Sequence, residues 1–159
     1  MRSKVKNPTK TYIISIAVAL GAGLISSLVS MGKQGEYAAL KQPPLSPPGW
    51  IFPVVWTILF VLMGISAARV YLNTPEDFPF ALKLYCLQLV LNVLWTPLYF
   101  ALNLRLAAFV LLLILLGTVI YMTVEFKKIG RTAAYLQIPY IVWLVFAGYL
   151  NLATYILNG

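Results

Sequence analysis

The chain has 159 residues, 61% of them hydrophobic and only 10% charged, and its twelve lysines and arginines outnumber four acids to give a net charge of +8. Soluble domains carry about 25% charged residues, so this composition, with a mean hydropathy of +0.86, excludes an ordinary soluble fold. Histidine is absent and Cys86 is the sole cysteine, which excludes a disulfide, a thiol metal centre and a histidine-based hydrolytic triad.

Charge-free stretches of 22, 27, 21, 19 and 28 residues follow Lys10, Lys41, Lys83, Arg105 and Arg131. About 20 apolar residues cross the bilayer core, and a spanning segment must bond its own backbone, so each stretch reads as a helix. A barrel would alternate polar and apolar residues in short strands. The run Phe109-Val110-Leu111-Leu112-Leu113-Ile114-Leu115-Leu116 does not alternate. The expectation is an all-α membrane protein, one domain over residues 1–159, with transmembrane helices at about 11–31, 50–72, 80–101, 105–125 and 133–157.

Span one follows Arg2, Lys4, Lys6 and Lys10. Its apolar stretch is longer than a signal-peptide core and no A-x-A site follows, so it reads as a span. Ser15, Ala19, Gly23 and Ser27 recur every four residues along it. Small residues at that spacing let helix backbones approach, which suits either packing within the chain or dimerisation.

The connection over residues 32–49 is the one long loop. Pro43, Pro44, Pro47 and Pro48 exclude a helix there and stiffen the path. Glu36 to Lys41 has room for a short helical turn. Such a loop suits a lid over the bundle, or a spacer.

Span two opens at Trp50, an interfacial anchor by position, and lines up Trp56, Phe60, Met63 and Gly64 on one face. Span three lines up Gln88, Asn92, Trp95 and Tyr99, while Cys86 reads as a packing residue. Span five lines up Trp143, Phe146, Ala147, Leu150 and Asn151. An uncharged amide in the bilayer must face protein or a cavity. Aromatic faces with one or two amides suit a pocket for a flat apolar ligand. They equally suit a plain helix-packing core.

Positive residues favour the cytoplasmic side. Arg2, Lys4, Lys6, Lys10, Arg69, Lys83, Lys127, Lys128 and Arg131 share the N-terminal side, against Lys33, Lys41 and Arg105 on the other, nine plus three making all twelve. The N-terminus is therefore expected inside, and the long loop and C-terminus outside. The charge serves topology and contact with anionic membrane lipid. It needs no nucleic acid, because the basic residues do not interleave with aromatics on one surface. The four acids, Glu36, Glu76, Asp77 and Glu125, lie in connections or at span ends. No ionisable group is left inside the membrane to couple transport to an ion gradient.

Three segments carry a family resemblance. Tyr37-x5-Pro43-x3-Pro47-Pro48-x-Trp50-x5-Trp56-x6-Met63-Gly64, Gln88-x3-Asn92-x2-Trp95-x-Pro97 and Pro139-Tyr140-x2-Trp143-x2-Phe146-Ala147-x2-Leu150-Asn151 are, in this order, similar to the translocator protein (TspO/MBR, peripheral-type benzodiazepine receptor) family. The resemblance implies a five-helix bundle, often a homodimer, in a bacterial-type cell membrane. It implies a pocket for porphyrins such as protoporphyrin IX or a haem-like ligand, for sterols and for isoquinoline carboxamides, with no resident cofactor. Matched by motif, the pocket residues are Tyr37, Pro43, Trp56, Asn92, Trp95, Trp143, Phe146, Ala147 and Leu150. Trp56 and Trp143 match the pair tied to light-dependent porphyrin breakdown in some members. An indole can pass an electron to an excited porphyrin without an acid, base or metal. The family's Trp-Tyr is Glu36-Tyr37 here, its Lys-Pro is Gln42-Pro43, and Tyr155 is followed by no Lys or Arg. Three functions fit: a tetrapyrrole-binding sensor or regulator, a transporter of such ligands, and a scaffold or lipid-binding subunit.

Overall fold

The computed structural model describes residues 6–30 and 39–158. It is helical throughout its ordered elements: α1 (Pro8–Ser30), α2 (Ile51–Leu72), α3 (Phe80–Thr96) continued by a π-helical turn (Pro97–Ala101), α4 (Arg105–Ile129), α5 (Arg131–Tyr135) and α6 (Ile138–Asn158). Among the described residues there are five helical spans long and apolar enough to cross a membrane, the fifth being α5 and α6 together. The predicted spans hold to within a few residues. The fourth runs past Glu125 to Ile129, and Glu125 pairs with Lys128 at 2.8 Å in its last turns.

The ends of these helices follow from local chemistry. Pro8 opens α1 at the position where a missing N–H costs nothing, and Asn7 Oδ1 caps it by accepting the Lys10 N–H at 3.2 Å. The C-terminal carbonyls of α2 have no helical partners of their own. Lys6 supplies one: its ammonium donates to the Tyr71, Thr74 and Glu76 carbonyls at 2.6, 2.7 and 3.2 Å and sits 4.2 Å from the Tyr71 ring centre. Two prolines interrupt what the sequence presents as continuous spans. Pro97 has no N–H to close the α3 ladder, and the chain widens into the π turn, with Leu102 N–H reaching Pro97 O at 2.9 Å. Pro139 has none to give Tyr135, so span five breaks at Leu136–Gln137 and resumes as α6.

The tightest helix pair is α1 on α2. The small-residue line of α1 faces inward: Ala19 is fully buried, and Ser15 Oγ donates to the Gly64 carbonyl at 2.6 Å. A Cβ added at Gly64 would lie 2.6 Å from the Ile16 Cα, and one at Gly23 would lie 2.7 Å from the Phe60 ring. Glycine is required at both positions because the partner atoms occupy the space of a side chain. Ser27 stays exposed. Three of the four small residues therefore serve packing within the chain. Gly64, expected to share the aromatic face of α2, belongs to this seam instead. The rest of α1 is exposed apolar surface, including Ile13, Val18, Leu24 and Leu28, as befits contact with lipid.

The remaining core lies between α2, α3, α4 and α6. Leu112, Leu115, Val119, Met122 and Phe126 run down the inner face of α4. Cys86, expected inside, faces outward from α3. It lies two residues before Gln88, hence on the far side of a helix whose Gln88 line is buried.

The Gly64 contact yields a direct expectation. Gly64→Ala must push α1 from α2 and should cost about 1–3 kcal/mol of stability, the usual cost of overpacking. Gly21→Ala meets nothing within 4 Å and should be neutral or slightly stabilising. Thermal unfolding of the two variants in detergent checks the contrast.

Candidate functional site

The loop-one end of the bundle holds the aromatic and amide side chains. Helical spacing places Gln88, Asn92 and Tyr99 on the buried face of α3, and Tyr140, Leu144 and Asn151 on the buried face of α6. These faces meet through one hydroxyl. Asn92 Nδ2 donates to the Tyr140 oxygen at 2.7 Å, and the Tyr140 O–H donates to Gln88 Oε1 at 2.8 Å. Gln88 Nε2 rests 3.7 Å from the Met63 sulfur of α2. One turn further up, Trp95 Nε1–H donates to Asn151 Oδ1 at 3.0 Å, and Asn151 Nδ2 donates to the Arg105 carbonyl at 2.9 Å. Gln88, Asn92 and Asn151 are thus satisfied between helices, whereas the buried Gln137 amide finds no partner among the described residues.

Beside this column lies a small cavity of about 10 Å³ lined by Trp56, Asn92, Trp95, Leu112, Leu115 and Ala147. Four of these, Trp56, Asn92, Trp95 and Ala147, are residues that the motifs single out. Leu112 and Leu115 of α4 are additions. Nothing in the sequence marks them, because α4 is apolar on every side and shows no face. The cavity has room for about one water molecule, whereas small-molecule pockets span hundreds of Å³.

The seam between α2 and α6 is filled by rings. The Trp56 and Trp143 indoles are perpendicular with centres 6.4 Å apart. Trp56 also meets Phe60 at 5.6 Å and Tyr140 at 6.2 Å, and Trp143 meets Phe52 at 5.9 Å and Phe146 at 5.5 Å. Edge-to-face pairs at such distances are the favoured geometry. Trp95 stacks on Tyr99 at 5.0 Å on the opposite side. The Trp143 indole N–H is buried and finds no acceptor among the described residues. A buried donor left unpaired costs about 1–3 kcal/mol.

Of the other expected residues, Phe146 joins the site through Trp143, and Leu150 is buried on α6 with the Asn151 turn. Pro43 is buried in the loop that closes this end. Tyr37 lies outside the described residues, as does the first half of the expected turn at Glu36–Lys41. From Ala39 onward the loop is not helical. It is held to α6 at two points. Asn158 exchanges hydrogen bonds with the Lys41 backbone at 2.9 and 3.0 Å, and the Tyr149 O–H donates to the Pro44 carbonyl at 2.7 Å. Between these ties and Trp50, Leu45 adopts a left-handed φ of 69°, an unfavourable conformation for a bulky residue. Trp50 itself is 68% exposed, as expected for an interfacial anchor. Tyr140 is the residue that the sequence reading passes over. It stands in the third motif, yet as one tyrosine among ten it gives no separate signal of its central place.

Known proteins place these features in context. The TspO/MBR family profile matches residues 14–157. Protein CrtK of Rhodobacter capsulatus is 38% identical over 150 residues, covering 92% of this chain and 90% of that protein. The tryptophan-rich protein TspO of Chlorobaculum tepidum is 32% identical, covering 93% and 96%. The tryptophan-rich sensory protein of Cereibacter sphaeroides is 34% identical, covering 77% and 76%.

The cavity wall invites one substitution. Ala147→Leu adds bulk where the space is about 10 Å³. The half-buried position should accept it with at most about 1–3 kcal/mol of strain, while affinity for an aromatic guest falls. Titration of the folded variant with protoporphyrin IX checks this, and an affinity equal to the parent's would place Ala147 off the binding surface.

Proposed function

The chain belongs to the TspO/MBR family, and on that premise we propose that this integral membrane protein is a sensor or regulator that binds a tetrapyrrole such as protoporphyrin IX between α2, α3, α4 and α6. The bacterial relatives, one of them named a sensory protein, support a bacterial cell membrane and a regulatory role. Tyr37, Pro43, Phe146 and Leu150 belong to the proposed site with the cavity residues, and the proposed working form is a homodimer.

The observation that carries this reading is the Trp56–Trp143 pair. Two indoles stand 6.4 Å apart at right angles next to the cavity, and one of them has a buried, unpaired N–H. The α2–α6 seam is closed by side-chain rings. A flat macrocycle entering there exchanges ring–ring contacts for ring–macrocycle contacts at little net loss. The Trp143 N–H and the Asn92 amide supply polar contacts that orient it. Opening requires release of the loop ties at Lys41 and Pro44, and the left-handed Leu45 favours that release. A population of open molecules is what the ligand would select.

Light adds a second activity in this reading. Trp143, assisted by Trp56, gives an electron to the excited porphyrin, forming an indole radical cation and a porphyrin radical anion, and dioxygen is the oxidant that then consumes the reduced macrocycle. Neither step uses a proton carrier or a metal.

Absorption titration with protoporphyrin IX in darkness, followed by fixed illumination, tests both parts. The dark spectrum should shift saturably. Trp143→Phe keeps an aromatic surface and loses one hydrogen bond, so binding should weaken by no more than about tenfold. Bleaching of the bound porphyrin should fall to that of porphyrin in detergent alone. Bleaching at the parental rate by a porphyrin-loaded Trp143→Phe protein would remove the redox role. An absent dark shift in the parent would remove the tetrapyrrole reading itself.

A further inference from the structure

The first residue of α4, Arg105, occupies a position that the motifs and the proposed site leave without a task. Arg105, Ala108, Leu112 and Leu115 are spaced i, i+3, i+7 and i+10, one line along the helix. Ala108, Leu112 and Leu115 are all buried, and Leu112 and Leu115 line the cavity. Arg105 therefore stands two turns above Leu112 on the cavity side, about 10 Å away along the helix axis. Two routes tie it to the cavity wall. Its carbonyl accepts from Asn151, which accepts from Trp95. Its guanidinium donates from Nη2 to Asn103 Oδ1 at 3.5 Å and interacts with Tyr99, whose ring stacks on Trp95 at 5.0 Å. The residue is half-buried, at the rim between aromatic interior and aqueous surface.

We propose that Arg105 is the carboxylate anchor of this site, so that the bundle selects amphiphiles whose flat apolar body fits between Trp56, Trp95 and Leu112 and whose carboxylate stays at the rim. The proposal rests on the cavity being a ligand site. The physics is a matter of where a charge can go. A carboxylate cannot follow an apolar body into the bundle, because an unpaired charge there is prohibitively costly. It must stop at the rim, at a distance from the cavity that matches the position of Arg105. With five N–H donors, arginine can keep Asn103 and Tyr99 and still donate to a carboxylate. Arg105 lies within the membrane-spanning helix rather than on the loop, so the anchor is fixed whether the loop is open or closed.

Protoporphyrin IX and its dimethyl ester share one macrocycle and differ in charge, and both are titrated in detergent against the parent, Arg105→Gln and Arg105→Lys. The parent should prefer the acid by roughly ten- to hundredfold, the worth of a charge-assisted hydrogen bond. Arg105→Gln should bring the acid's affinity down to the ester's while the ester binds as before, which also reports an intact pocket. Arg105→Lys should retain part of the preference. Equal affinity of the parent for acid and ester overturns the proposal, as does an equal loss of both ligands in Arg105→Gln. Binding of neither by the parent overturns the cavity reading and the anchor with it. Should Arg105→Gln fail to fold, the parent's acid-to-ester ratio and Arg105→Lys still decide.

Discussion

A hydroxyl at the centre of the bundle governs the rest of this structure. Inside hydrocarbon no water is at hand to satisfy a polar side chain, so buried amides are stabilised by partners on other helices. Tyr140 answers for two of them, accepting from Asn92 and donating to Gln88. Both amides are on α3 and Tyr140 is on α6, so the pair of bonds sets the height and rotation of one helix against the other. With that register fixed, Trp95 meets Asn151, and Asn151 meets the start of α4. Three helices are positioned by four hydrogen bonds, and the cavity is the space that their side chains leave beside α2.

The other side of the cavity is held differently. Helix α2 is fastened to α1 by close backbone approach at Gly64 and by the Phe60 ring against Gly23, and to α6 by aromatic edges. Rings held by dispersion and quadrupole contacts can separate and be replaced by another ring. A hydrogen-bonded amide column cannot, without leaving groups unpaired. The α3–α4–α6 side is thus joined by hydrogen bonds and the α2–α6 contact by rings, while Ser66 Oγ of α2 donates to the Ala133 carbonyl of α5 at 2.7 Å. The described part of the loop is tied to α6 at the Lys41 backbone and the Pro44 carbonyl.

Much of this was readable from the chain. The charge-free runs located all five spans because an ion in hydrocarbon is costly enough to write itself into the sequence. Amides at Asn92 and Asn151 and tryptophans at Trp56, Trp95 and Trp143 announced their faces, since each is rare in a lipid-facing position. The unreadable parts share a physical cause. Leu112 and Leu115 line the cavity, yet leucines also cover the lipid side of α4, and a helix apolar all round has no face to detect. Lipid and protein interior are equally apolar, so Cys86 could not be assigned to one or the other. The breaks at Pro97 and Pro139 were marked by the prolines, but prolines also occur in continuous spanning helices, where neighbours supply the lost bonds. The small residues of α1 fit two interfaces equally well until Ile16 was seen against Gly64.

The account stands or falls on Tyr140 as the joint between α3 and α6. A double-mutant cycle of Tyr140→Phe and Gln88→Leu, read as unfolding free energy in mixed micelles, measures that joint directly. Each single change strands the other's partner, whereas the double change removes both, so the two losses should not add. The coupling should be roughly 1 kcal/mol or more, toward the upper part of what side-chain hydrogen bonds in membranes provide. Strictly additive losses would contradict the account, because they would mean that the two helices keep their register without this hydroxyl.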